Sequence, residues 1–323
     1  MAGGRERELR RRIRSVEATK KITRAMELIA ASEMLRAQGR IAGSRPYVEG
    51  VEKVLAATAA EAVGAERLLG SAEDARSVLL VVIVSDRGLA GGYNNAVLRG
   101  ALRRMHAGEQ QGRSYRLVTV GRKAISYFRF NGREIAHAFS RMTDRPHFDD
   151  ARRLADVVID PFLAGEVELV ELLSTRFLSA GTQRVELRQV LPLPPSSALR
   201  APSGDGGREE EDAGDGRLFE FEPPAEELLE LLVPQYAEAV LYQALLEASA
   251  SEHTARQRAM SAATENADEL ITTYRRAMNR ARQDSITTEI MEIVGGAEAL
   301  RRSDESDRGH FGLGAAESEE RIA

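Results

Sequence analysis

The stretch QYAEAVLYQALLEASASEHTARQRAMSAATENADELITTYRRAMNRARQDSITTEIMEIV, Gln235 to Val294, contains neither Gly nor Pro. These two residues most often interrupt a helix, so the stretch predicts one unbroken helix. With a rise of about 1.5 Å per residue, that helix would be roughly 90 Å long. This is about twice the width of a compact domain, so most of it cannot pack against a core of the same chain. We expect it to contact another surface.

A second stretch without Gly or Pro, Arg5 to Gln38, predicts a helix that weakens at Gly39, Gly43 and Pro46. Apolar residues in both helices recur at spacings of three and four, which is typical of a coiled coil. The predicted seam comprises Leu9, Ile13, Val16, Ile22 and Ile29 on the first helix and Tyr274, Met278, Ile286, Ile290, Ile293 and Leu300 on the second. Because the first helix is basic and the second acidic, we expect an antiparallel pair with the longer helix overhanging.

Between the helices, strand and helix patterns alternate. SVLLVVIV, Ser77 to Val84, is a β-branched run that predicts a strand covered on both faces of a parallel sheet. Further strands are predicted at 115–120, 134–139, 167–175 and 182–191, and helices at 96–106, 122–130 and 148–163. The expected fold is α/β plus long α: an antiparallel coiled coil of the N- and C-terminal helices with an inserted Rossmann-like α/β domain.

The same patterns predict the domain boundaries. Residues 1–62 form the N-terminal coiled-coil helix and its extension, and 63–222 the α/β domain, with a disordered acidic loop at about 196–217. Residues 223–301 form the long C-terminal helix, which begins near Glu226 and kinks or breaks at Pro234. Residues 302–323 are expected to be a disordered tail.

Composition excludes several classes of site. The 323 residues include no Cys, which removes disulfides, thiolate metal sites and thiol redox switches. The five His residues show no ligand spacing, so no metal is expected. No apolar run is long enough to cross a bilayer. The basic start RERELRRRIR is better explained by a protein interface than by nucleic acid, because the chain carries a net charge of -5 and few aromatic residues.

The Gly-rich segment SDRGLAGGYNN, Ser85 to Asn95, follows the first buried strand, where an α/β fold can bind phosphate. It matches neither the P-loop pattern nor G-x-G-x-x-G. A tight structural turn is therefore favoured over a ligand site, and we expect no cofactor and no catalytic residue.

Three segments make the chain similar to a known family. RRRIRSVEATKKITRAMELIAASEMLRAQ, Arg10 to Gln38, resembles the N-terminal signature of the gamma subunits of F-type ATP synthase. SDRGLAGGYNN resembles that family's SDRGLCGGLN turn, and NRARQDSITTEIMEIVGGAEAL, Asn279 to Leu300, resembles its C-terminal signature. The resemblance implies a rotor without bond chemistry of its own, which couples ion flow through the membrane sector to ATP synthesis or hydrolysis.

The resemblance also implies partners and contact residues. The coil would stand inside a ring of three alpha and three beta subunits, and the α/β domain would form a foot on the epsilon subunit and the membrane c-ring. The chain would be peripheral, on the cytoplasmic face of a bacterial membrane, because the family motif begins close to Met1. The contact residues implied on the rotor are Lys21, Arg24, Met26, Arg282, Gln283, Thr287 and Glu289.

One residue departs from the family pattern, and two other classes of function stay open. Glu33 stands where many family members carry Lys, which reverses a charge on the shaft. An α/β ligand-binding domain or enzyme with a coiled-coil dimerisation arm, and a coiled-coil scaffold that does not rotate, are hypotheses of other classes. Co-purification with alpha and beta subunits distinguishes them, since only a rotor requires one chain for each ring of six.

Overall fold

The computed structural model describes residues 2–61, 68–69, 72, 74–193 and 224–312. Two long helices flank the sequence of the α/β region: α1, Ala2–Glu61, and α5, Ala225–Gly312. Between them lie β1 Ser77–Ile83, α2 Tyr93–Gln110, β2 Ser114–Val120, α3 Arg122–Phe130, β3 His137–Phe139, α4 Phe148–Leu163, β4 Leu169–Phe177 and β5 Gln183–Leu191. The order of strands and helices predicted from the sequence is therefore confirmed.

The five strands form one sheet in the order β3-β2-β1-β4-β5. The pairs β1 with β2, β1 with β4 and β2 with β3 are parallel, and β4 with β5 is antiparallel. The strand order turns back at β1, which is the arrangement of a doubly wound Rossmann-like sheet. Because β1 lies in the centre, all its residues from Val78 to Ile83 are buried, as its unbroken apolar sequence predicts.

Both faces of the sheet are covered. Alternate residues of each strand point to opposite faces, so Leu79 and Val81 enter one core while Leu80 and Val82 enter the other. The first core is completed by α4, α5 and the end of α1, with Leu55, Leu154, Leu229 and Val240 among its buried residues. The second core is completed by α2 and α3, with Val97, Ala101, Ala124 and Phe128.

Two helix ends differ from the sequence prediction, and the inclusion of Pro234 within the long helix agrees with it. α1 continues through Gly39, Gly43 and Pro46 to Glu61, because Val48 and Leu55 beyond the proline are buried and this packing outweighs local propensity. α5 contains Pro234 without ending there, since Leu229 and Val233 before it are buried. α5 also extends to Gly312, so the structure does not support disorder from residue 302 onward. Residues 313–323 and the acidic loop at 196–217 lie outside the described residues.

The contacts divide the chain into two compact units, whose boundaries fall inside the helices. One unit, here called the coil unit, comprises Met1–Arg24 and Ala262–Ala323, and the other, the sheet unit, comprises Ala25–Ser261. The predicted boundaries at residues 62 and 223 therefore do not coincide with the contact boundary. The reason is that residues 25–61 and 225–261 of the helices pack with the sheet, as the buried Leu55 and Leu229 illustrate.

Within the ranges that the structure describes, no helix combines the length and the apolar character that a bilayer crossing requires.

Gly121, which precedes α3, provides a test of the sheet unit. Its φ is +101°, and a Cβ atom there would lie 2.1 Å from the carbonyl oxygen of Val84. Gly112 also has a positive φ, of +80°, but nothing lies within 4 Å of its Cβ position. We expect Gly121→Ala to lower the free energy of unfolding by about 3 kcal/mol, and Gly112→Ala by about 1 kcal/mol. Urea unfolding of the full chain followed by circular dichroism measures both. Equal losses would contradict the role of the Val84 contact.

Candidate functional site

In the coil unit, α1 and α5 pair in antiparallel directions. Three polar contacts define the register: Thr23 with Thr264 (hydroxyl oxygens 2.8 Å apart), Lys20 with Asp268, and Glu17 with Arg275 (2.9 Å). As the position on α1 decreases, the partner position on α5 increases, as an antiparallel pair requires. Of the α1 residues in these contacts, Glu17 and Lys20 lie between the predicted seam residues Val16 and Ile22. The seam is continued there by hydrogen bonds and ion pairs.

The predicted seam is wrong at two positions of α1. The structure places Leu9, Ile13 and Val16 on the covered face, but Ile22 and Ile29 are 61% and 62% exposed. A heptad continued from Ile13 and Val16 passes through positions 20, 23, 27 and 30, and Thr23 and Ala30 are indeed buried. Ile22 and Ile29 lie one residue before that line, about 100° around the helix. The buried face of α1 therefore continues through small and polar residues, which an apolar pattern alone does not identify.

On α5 the covered face ends earlier than predicted. Ala267, Ile271 and Ala281 are buried, and Tyr274 and Met278 are half-buried, at spacings of three and four. Beyond them the other predicted seam residues are exposed: Ile286, Ile290, Ile293 and Leu300, at 46%, 54%, 72% and 72%. The register explains this. Ala2 lies 18 residues before Lys20, and the residue 18 positions after Asp268 is Ile286. α1 therefore offers no partner to the overhang, as we call residues 287–312.

The contact residues implied by the resemblance lie in both units. Lys21, Arg24, Arg282, Gln283, Thr287 and Glu289 belong to the coil unit, where each is exposed. Met26 belongs to the sheet unit and is half-buried. No contact within the chain tests their role, so it stays a prediction.

Met26 lines a cavity of about 550 Å³ in the sheet unit. Its wall combines three guanidinium groups with two carboxylates and a few apolar side chains. The lining residues are Met26, Ile29, Ala30, Glu33, Arg87, Gly88, Leu89, Asp144, Arg145, His253 and Arg256. They come from α1, from α5, and from the loops that follow β1 and β3, so the fold brings together four segments that are far apart in sequence.

Glu33 is part of this wall and is buried, at 7% exposed. Its carboxylate accepts hydrogen bonds from Arg145, one of them 3.1 Å long, and from Arg36 at 2.9 Å. The hydrogen bonds from Arg145 are the main reason that the pKa of Glu33 lies below its ordinary value, with burial acting in the opposite direction. The charge reversal noted in the sequence is therefore matched by a cation from the loop after β3.

A second pair and a histidine form the next part of the wall. Arg87 donates to Asp144 at 2.9 Å, and the Nε2 atom of His253 lies 3.1 Å from the carbonyl oxygen of Asp144. The Nδ1 atom of His253 lies 3.4 Å from a guanidinium nitrogen of Arg256. Since Arg256 can only donate, these partners assign a neutral His253 with its proton on Nε2. Burial, the largest influence, lowers the pKa of His253 and favours the same neutral form.

Arg256 is held by an almost fully buried carboxylate. One turn earlier on α5, Glu252 accepts a hydrogen bond from Arg256, and the two side chains are 1% and 7% exposed. Burial raises the pKa of Glu252 to about 7, and the charge of Arg256 offsets only part of that effect. The carboxylate is therefore partly protonated at neutral pH.

The Gly-rich loop between β1 and α2 has its polar groups occupied inside the fold. Asp86 accepts hydrogen bonds from the backbone N–H groups of Arg122 (3.0 Å) and Arg141 (2.8 Å), and from the hydroxyl of Thr143 (3.0 Å). Leu89 and Gly91 have positive φ values of 64° and 55°, as in a tight turn. Tyr93 closes the loop by donating to the carbonyl oxygen of Ala248 on α5, at 3.1 Å. These contacts favour the structural turn over a phosphate site.

The family model described as ATP synthase matches residues 5–300. The chain is 45% identical, over 301 residues, to the ATP synthase gamma chains of Parafrankia sp. and of Frankia casuarinae. In both cases the match covers 92% of this chain and 98% of the relative. The chain belongs to the ATP synthase gamma chain family. The resemblance stated from the three sequence segments is thereby confirmed.

Solved structures show the same fold for this gamma chain family member. The mitochondrial ATP synthase of Euglena gracilis contains a chain that matches with a TM-score of 0.64 at 18% identity, covering 94% of this chain and 96% of that one. The central stalk and c-ring structure of the Tetrahymena thermophila enzyme contains another, with a TM-score of 0.56 at 23% identity, covering 75% and 99%. At these identities the likeness concerns the fold alone.

Three charged residues of the cavity wall, and the carboxylate that pairs with one of them, were not singled out from the sequence. Arg87, Arg145, Glu252 and Arg256 each stand among other charged residues on a helix or loop, where a solvated surface is the usual explanation. The spacing of Glu252 and Arg256, four residues apart on a helix, was a usable signal for an ion pair. Nothing in the sequence indicated that the pair is buried.

Glu33 provides a test of the cavity wall. We expect Glu33→Gln to lower the free energy of unfolding at pH 7 by about 1 to 2 kcal/mol, because it removes a buried carboxylate from the guanidinium groups of Arg36 and Arg145, both of which are more than half exposed. Since the folded-state pKa of Glu33 is lowered, the advantage of wild type is complete above the ordinary value of 4.5 and disappears as the pH falls through the folded-state pKa.

The measurement is urea unfolding at pH 7 and at stepwise lower pH. Glu166→Gln is the matched control, because Glu166 pairs with Arg116 at the surface and its loss should cost less than about 0.5 kcal/mol. A loss for Glu33→Gln that does not change with pH would contradict the assignment to the ion pair.

Proposed function

We propose that the chain is the central-stalk rotor of an F-type ATP synthase. It would couple ion flow through the membrane sector to ATP synthesis or hydrolysis at the catalytic beta subunits by rotating, with no bond chemistry of its own. The observation that carries this proposal is the family match over residues 5–300, which includes both long helices and the sheet. The relatives named ATP synthase gamma chain are matched over nearly their whole length, which supports the same role here.

The overhang supports contact with a surrounding ring. Residues 287–312 of α5 extend for roughly 40 Å without α1 beside them. Exposed apolar side chains at Ile290, Met291, Ile293 and Val294 would be costly to leave in water, and a sleeve formed by three alpha and three beta subunits would cover them. The predicted contact residues Arg282 and Gln283 lie just before this segment, and Thr287 and Glu289 lie at its start, where their polar groups can bind loops of the ring.

A rotor acts by making different contacts with different conformations of its partners. Each orientation of an asymmetric shaft stabilises one conformation of a beta subunit over another, and so shifts the population of states. A long helix such as α5 suits this role, because beyond Pro234 its backbone hydrogen bonds run parallel to the helix axis. The cavity beside Met26, with its guanidinium groups, is suited to bind an acidic loop of a beta subunit.

The sheet unit is proposed as the foot that contacts the epsilon subunit and the c-ring. Among the described residues its surface carries exposed large apolar side chains, such as Phe130 at 90% exposed. We place the chain at the cytoplasmic face of a bacterial membrane, as a peripheral subunit, which is supported by its bacterial relatives.

Co-purification tests the proposal directly. The tagged chain, expressed together with the alpha and beta subunits of its own source, should elute with both in a ratio of one to three to three. A variant that ends at Ser285 removes the overhang and should reduce the recovery of the ring. A chain that purifies alone, or with a single kind of partner in equal amounts, would contradict the rotor proposal.

Met26 provides a test of coupling. We expect Met26→Lys to lower ATP-driven proton pumping about tenfold relative to ATP hydrolysis, because it places a cation in a cavity that already holds Arg87, Arg145 and Arg256. Met26→Leu is the matched control, since it preserves volume and charge and should pump like wild type. Both are measured in membrane vesicles that contain the assembled complex. Equal pumping by the lysine variant and wild type would contradict the proposed role of this cavity.

A further inference from the structure

We infer that Glu252 is a positioning residue that holds the guanidinium of Arg256 at the cavity wall and thereby controls its contact with the surrounding subunits. This inference rests on the proposed function, since it concerns how the rotor meets the ring. The side chain of Glu252 is only 1% exposed, so it would act on a partner subunit through Arg256.

The geometry of Arg256 is fixed from three sides. Glu252 accepts a hydrogen bond from one terminal nitrogen, which also lies 3.5 Å from the carbonyl oxygen of Gly88. The other terminal nitrogen lies 3.4 Å from Nδ1 of His253. Of these three partners, only Glu252 can carry a negative charge. The strength of the hold on Arg256 therefore depends on the protonation state of Glu252.

Among the described residues, the carboxylate of Glu252 accepts a hydrogen bond from Arg256 through one of its two oxygens. Its Oε1 atom accepts from Arg256, while its Oε2 atom is buried without a hydrogen-bond partner among the described residues. A buried carboxylate that served only stability would be expected to use both oxygens, because an unsatisfied oxygen is costly. The free-energy cost of burying the unpaired Oε2 atom is consistent with a role of Glu252 in positioning Arg256.

The groups around Glu252 come from four parts of the fold, and two of them, both carboxylates, disfavour its charged form. On α5 these are the cation Arg256 and the neutral His253, and from α2 the phenol of Tyr93 faces it. The loops contribute the carboxylates Asp86 and Asp144, which repel a negative charge. Burial acts in the same direction, so Arg256 alone favours ionisation.

These groups determine the direction in which pH changes the ion pair of Glu252 and Arg256. The pKa of Glu252 is raised to about 7, so the carboxylate is mostly charged at pH 8 and mostly neutral at pH 6. At pH 8 the ion pair holds Arg256 firmly. At pH 6 a neutral hydrogen bond remains, and Arg256 is more free to turn toward a carboxylate of a partner subunit.

Glu252→Gln tests the inference, because glutamine imitates the neutral form at every pH. The readout is the ratio of ATP-driven proton pumping to ATP hydrolysis by the assembled complex in vesicles, measured from pH 6 to pH 8. We expect the variant to match wild type at pH 6 and to differ from it about fivefold at pH 8. Glu247→Gln is the matched control, since Glu247 is a buried carboxylate on the same helix whose hydrogen-bond partner is Gln243. It should follow wild type at both pH values.

Arg256→Gln separates positioning from a structural role. If Glu252 acts through Arg256, Glu252→Gln has no further effect on the ratio in the Arg256→Gln background. An equal additional effect in that background, or an unchanged pH dependence in the single variant, would overturn the inference. Should the single variant not assemble, the double variant removes both charges together and is expected to assemble. Failure of the double variant also overturns the inference.

The two proposals fail in different ways. If wild type does not co-purify with alpha and beta subunits, the proposed function fails. If wild type assembles and pumps while Glu252→Gln does so with the same pH dependence, only the role of Glu252 fails.

Discussion

The register between two helices of unequal length is the constraint on which the coil unit depends. It is set by polar contacts, Thr23 with Thr264, Lys20 with Asp268 and Glu17 with Arg275. A purely apolar seam can slip by a heptad with little loss, whereas displaced hydrogen bonds and ion pairs lose their partners. Because the register is specified, the length by which α5 extends beyond the end of α1 is specified too. The proposed ring would surround this length.

The sheet unit depends on a central strand and on the loop that follows it. β1 is buried on both faces, so its sequence can be uniformly apolar and its position in the sheet is fixed. Asp86 lies directly after it and binds the backbone at Arg122 and Arg141, which orients the loop that carries Arg87 and Gly88. These hydrogen bonds help to place Arg87 at the cavity wall, whereas Arg145 and Arg256 are held by Glu33 and Glu252.

Much of the fold could be predicted from local patterns. The β-branched run at Ser77, the alternation of strands and helices, and the long stretch without Gly or Pro each correspond to an observed element. The predictions failed where tertiary packing outweighs local preference. Pro46 lies inside α1 because residues on both sides of it are held by packing, and the seam passes through Thr23 rather than Ile22 because a helix keeps its phase whatever side chain it carries.

The sequence by itself determined the family, because three of its segments resemble that family's signatures. It also determined the order of the elements and the presence of a helix longer than its own domain, since these follow from the patterns of apolar residues, Gly and Pro along the chain. Only the tertiary structure decided which side chains share the cavity. Glu33, Arg145 and Arg256 line it, and Glu252 pairs with Arg256. These four residues come from three separate segments, and in the sequence none of them differs from an ordinary surface residue. Burial and pairing are properties of the packed arrangement, so the shifted pKa of Glu252 could not be inferred before its neighbours were known.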